Sequence, residues 1–143
     1  MIVFHITLLL IIACGTQSMP KAVKPYEVQW GTSGGFTGGG EGYIIYPDGT
    51  VARWKKATAA AAMKTEMVGR LSPEVCLSIC RIIEEKRVLQ IKQTETGNMT
   101  TVLTLRRDGN DHHFSWPAES GKTPSAIAPL MEKLQTAIAD LKK

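Results

Sequence analysis

Basic side chains in this 143-residue chain never run longer than a pair, and no apolar stretch reaches the length of a membrane-spanning helix. The scattered charge sums to only +4, with a sequence pI near 9.1. A nucleic-acid reader concentrates basic residues on one face, so nucleic acid is not an expected partner. Three cysteines are too few for a disulfide scaffold. The dinucleotide pattern G-x-G-x-x-G is missing. Gly121-Lys122-Thr123 ends like a phosphate-binding loop, but the first glycine of that motif belongs at position 116, which is Trp. No nucleotide is expected. Catalytic constellations are missing as well. His112 and His113 are neighbours on a predicted strand and point to opposite faces, so they do not share a metal. Glu84, Glu85 and Glu132 fall on helix surfaces, where solvation is the default. The expectation is a protein without catalysis, metal or cofactor.

What the chain does contain begins at its start. Met1 to Ala13, MIVFHITLLLIIA, holds no formally charged side chain. The run is short for a membrane span and fits the apolar core of a secretory signal peptide. No Lys or Arg precedes it, and the segment is brief enough that a true start upstream of Met1 is an open alternative. It closes on Ile11-Ile12-Ala13-Cys14, which resembles a bacterial lipobox. That resemblance implies cleavage before Cys14 and acylation of its thiol, with palmitate or a similar chain. Two or three acyl chains hold a protein on a membrane where one does so only marginally. Gly15 stands where an inner-membrane retention signal carries Asp, so the resemblance implies the outer membrane over the inner. The competing reading is a buried apolar element with an incidental cysteine.

Three parts follow: a signal peptide at 1–13, a lipidated Cys14 with a polar, proline-bearing tether at 14–25, and one domain at 26–143. Tyr26 to Trp30 alternates and reads as a strand. Gly42 to Trp54 reads as a hairpin turning at Pro47-Asp48-Gly49. Thr65 to Leu71 reads as another strand. Lys55 to Lys64 is alanine-rich without an apolar stripe, which suits an extended arm or loop. Ser72 caps and Pro73 starts a helix ending near Arg87. Thr100 to Trp116 reads as a hairpin turning at Asp108-Gly109-Asn110. Ile127, Leu130, Met131, Leu134, Ile138 and Leu141 keep a helical period to the C-terminus. The order ββββ-α-ββ-α predicts an α+β two-layer sandwich: an antiparallel sheet of about 4–6 strands with two helices on one face. Cys76 and Cys80 share a helix face four residues apart. They are expected as reduced, buried thiols, with a disulfide as the alternative. Trp30, Trp54 and Trp116 fall on strands and are expected to pack on the sheet.

Gly31 to Gly42, GTSGGFTGGGEG, has seven glycines in twelve residues around a single aromatic, Phe36. A strand follows it, which is the wrong context for a phosphate cradle. A slack linker would not carry Phe36, whose burial is worth about 2 kcal/mol. The segment reads as a bulged or Ω-like shaped loop, with Phe36 docked in the core or on a partner. Ser33-Gly34-Gly35-Phe36-Thr37-Gly38 resembles emfourin, a small protein inhibitor of thermolysin-like metalloproteases. The likeness continues in order through a helix, an acidic-glycine hairpin and a closing leucine-spaced helix. It implies a protein-binding inhibitor with its contact at Ser33 to Gly38. This chain differs in its longer first hairpin, its alanine run and its lipobox. The reading is therefore a bacterial cell-envelope lipoprotein, tied to the membrane through Cys14, whose small domain binds another protein. The alternative is a structural or assembly accessory of an envelope complex.

Overall fold

The computed structural model describes residues 23–143; the expected signal peptide at 1–13 and Cys14 lie outside the described residues. The first strand, β1 (Glu27–Gly34), pairs with β2 (Gly39–Ile45), β2 with β3 (Thr50–Lys56), and β3 with β4 (Lys64–Arg70). Helix α1 (Pro73–Glu85) follows, then β5 (Met99–Arg107), β6 (Asn110–Pro117) and helix α2 (Ala128–Leu141). All neighbours in the six-stranded sheet are antiparallel, in the order β4-β3-β2-β1-β5-β6. The chain is thus an α+β protein with the element order ββββ-α-ββ-α.

Local chemistry explains each element. Asp48 accepts from the Thr50 backbone N–H at 2.9 Å and from its hydroxyl at 2.8 Å, while Gly49 takes φ 85°, and together these close the β2–β3 turn. Asp108 and Gly109 both adopt positive φ, 53° and 77°, as a two-residue hairpin loop twisted like its strands requires. Ser72 caps α1 by accepting the Val75 N–H at 3.4 Å. The alanine run forms the connection between β3 and β4.

Alternation sends one face of the sheet inward. Val28, Trp30, Ile45, Val51, Leu103, Leu105, Phe114 and Trp116 meet Ile79, Cys80 and Ile83 of α1 and Leu130, Leu134 and Ile138 of α2 in one core. Val88 joins that core from a short 3-10 turn, Val88–Gln90, that no sequence periodicity announces. Residues 93–95 then run along the outer edge of β6, where the Ser115 N–H donates to Gln93 O and Ser115 O accepts from Glu95. One edge of the sheet is therefore covered at Ser115. The other, β4, is exposed along its whole length.

Candidate functional site

The glycine segment is not the Ω-like loop its composition suggests. β1 and β2 stay paired up to Gly34↔Gly39, so only Gly35 to Gly38 form the turn. Ser33 and Gly34 belong to β1 and pair on its other side with Thr100 and Met99 of β5. The glycines are needed for what lies on the sheet face opposite the helices. There the Trp54 indole rests on Gly31 and Gly42, which are cross-strand partners. A Cβ on Gly31 would stand 2.5 Å from the Trp54 ring, and one on Gly42 would stand 2.7 Å from its Nε1. Both would also run into backbone oxygens, those of Glu41 and Trp30. The indole Nε1 donates to Trp30 O at 3.1 Å. Trp54 is buried, as expected for the three tryptophans. Its pocket is made of missing side chains.

Of the two places expected for Phe36, the structure excludes the core. Phe36 sits against no other part of the domain either, and its relative exposure of 108% is that of a free side chain. The backbone that carries it is held from both sides. Gly35 N–H donates to Asn98 O at 2.7 Å, and Ala59 N–H donates to Thr37 O at 3.0 Å. Within the turn, Gly38 N–H donates to Gly35 O at 3.2 Å. Gly35 and Gly38 take φ 69° and 66°, values that an L side chain resists. Gly38 also faces the Ala59 methyl, which would stand 2.8 Å from a Cβ placed there. The alanine run thus has a role: a small-residue segment packs against the turn.

A further brace was not legible in the sequence. The Glu119 carboxylate accepts the Asn98 N–H at 2.6 Å and the Met99 N–H at 3.4 Å, fixing the carbonyl that in turn holds Gly35. Hydrogen bonds from its own backbone N–H, then from Asn98 and Met99, hold its carboxyl below the usual glutamate range. Ala59, Asn98 and Glu119 lie 21 to 81 positions beyond Gly38, the last residue of the turn, and local pattern carries no trace of such contacts.

Next to the hairpin, between α2 and the helix-side face of the sheet, lies an open cleft of about 390 Å³. Trp30, Thr32, Tyr43, Thr101, Trp116 and Gln135 line it, and the Glu41–Arg53 ion pair stands at its rim. Its chemistry is hydroxyl, amide and aromatic. Among the described residues no group of three or more His, Cys, Asp or Glu could hold a metal ion. His113 Nδ1 lies 3.0 Å from the Thr104 hydroxyl on the other sheet face. Cys76 and Cys80 are free thiols, pushed up in pKa chiefly by burial, though Cys76 is only half-buried where full burial was expected. Burial keeps both in the unreactive protonated form at neutral pH. No helix among the described residues is long and apolar enough to cross a membrane. No protein-family model matches the chain, and no curated protein matches it in sequence.

Proposed function

We propose that this is a lipid-anchored protein of the bacterial cell envelope whose non-catalytic domain binds another protein through the Phe36 turn and inhibits a thermolysin-like metalloprotease. The observation that carries the reading is Phe36 itself, a fully exposed aromatic on a turn fixed by two neighbouring segments. A large apolar side chain held out in water gains about 2 kcal/mol on entering a partner's pocket. Because the turn is already ordered, little of that gain is spent on ordering it. The position suits an anchored protein. Lys24, the second described residue, pairs with Asp108 at the end of the sheet opposite the turn. The eight residues of β1 separate the two ends by about 27 Å at ~3.4 Å per residue. A tether from Cys14 would hold one end, leaving Phe36 at the other.

The test is inhibition of a thermolysin-like metalloprotease by the purified full chain. Phe36→Ala is expected to weaken inhibition by about 30-fold or more, the loss typical of a central aromatic anchor, with an unchanged melting temperature. Wild-type protein that leaves the protease fully active would end the inhibitor reading. Intact mass of the membrane fraction tests the anchor: Cys14 should be the acylated first residue, and Cys14→Ser should remain uncleaved. The open β4 edge, with Met67 and Val68 exposed, favours a second reading as an accessory that docks on an envelope complex by strand addition. Co-purification abolished by Met67→Pro but indifferent to Phe36→Ala is the outcome that would select it.

A further inference from the structure

The sheet divides its charges unevenly. Its strands carry Arg53, Arg70, Arg106 and Arg107, each in an ion pair with a carboxylate: Glu41, Asp48, Glu27 with Asp111, and Glu84 respectively. The strands also carry Lys55, Lys56 and Lys64, and none of these has a carboxylate within ion-pairing distance among the described residues. All three lie at the Phe36 end. Lys56 is opposite Gly40 and Lys55 opposite Glu41, two and three residues beyond the turn. Lys55 and Lys64 face each other directly across β3 and β4. Like charges in that position destabilise a sheet, although on its other side Lys55 faces Glu41, whose carboxyl is held below the ordinary glutamate range first by Arg53 and then by Lys55.

We infer that the Phe36 end of the sheet, with Lys55 and Lys64 on one face and Lys56 on the other, takes a protein partner whose apolar pocket is rimmed by carboxylates. This deepens the inhibitor reading and rests on it. Strand spacing places the lysines on the order of 10–15 Å from the turn. That is one to two screening lengths at physiological salt, where charge steers approach while Phe36 supplies the contact that lasts. A lipid surface is the poorer match. One benzyl group is a weaker anchor than a single acyl chain, which itself holds only marginally. The turn around Phe36 also presents glycine and threonine backbone that needs water or a polar partner.

The experiment measures association and dissociation rates of the full chain with a thermolysin-like metalloprotease of acidic net charge, at low and high salt. Replacing Lys55, Lys56 and Lys64 together by Gln should slow association about tenfold at low salt and leave dissociation unchanged, and the difference should vanish at high salt. Phe36→Ala should do the reverse, speeding dissociation. Binding that is indifferent to salt and to the lysines overturns this inference while leaving the inhibitor reading intact. An absence of protease binding overturns both. Flotation with phosphatidylglycerol vesicles that falls in the Phe36 and lysine variants, with unchanged protease rates, would assign the surface to lipid and overturn it as well.

Discussion

A methyl group at Gly42 would collide with the Trp30 carbonyl and push the Trp54 indole off its seat. Gly42→Ala is therefore expected to destabilise the fold by about 2–3 kcal/mol, the range of an overpacked interior, as read by chemical denaturation. Phe36→Ala, a much larger change in volume, should fall within about 0.5 kcal/mol of wild type because it removes nothing that touches the domain. The pair reverses what composition suggests, since the glycines hold the structure and the aromatic does not. Sequence alone could place Phe36 only in a core or on a partner, because hydrophobicity says that a side chain prefers cover without saying whose. Glu119 acts on the turn through Asn98. Since its carboxyl is held below the ordinary glutamate range, the brace is present at neutral pH and is lost as pH falls through that lowered value. Glu119→Gln should speed hydrogen exchange at Gly35, Asn98 and Met99 near neutral pH while leaving the core strands protected.

Elements whose signals are local were legible in the sequence. The two Asp-Gly hairpins, the Ser-Pro start of α1 and the leucine-spaced stripe of α2 all lie where their residues predict. Pairings between distant segments were not. Nothing in Tyr26 announces that β1 will lie beside β5, or that its hydroxyl will donate to Glu84 at 2.7 Å while the Arg107 guanidinium stacks 4.2 Å from its ring. That cluster joins the start of β1 to α1 and the end of β5. Burial, reinforced by the bond to Glu84, raises the Tyr26 pKa well above the ordinary tyrosine value. A raised acid pKa gives stability that is whole below pH ~10 and is lost as pH climbs toward the folded value. Alkaline titration should therefore weaken the fold above pH ~10. Tyr26→Phe should flatten that dependence and lose about 1 kcal/mol at neutral pH with the hydrogen bond.

At the scale of the whole molecule, the β1–β2 hairpin spans the sheet, with the start of the domain at one end and the Phe36 turn at the other. The open strand at the margin has a consequence if the chain is anchored and crowded with its own kind as proposed. Laid antiparallel in the register of fullest overlap, two copies of Lys64–Arg70 would set Lys64 of each against Arg70 of the other. Past Met67 the ladder is broken by the bulge that leaves Val68 without a partner on β3. Repulsion at both ends and a kink in the middle keep neighbours from zipping into ribbons, so density in the plane need not become fibre.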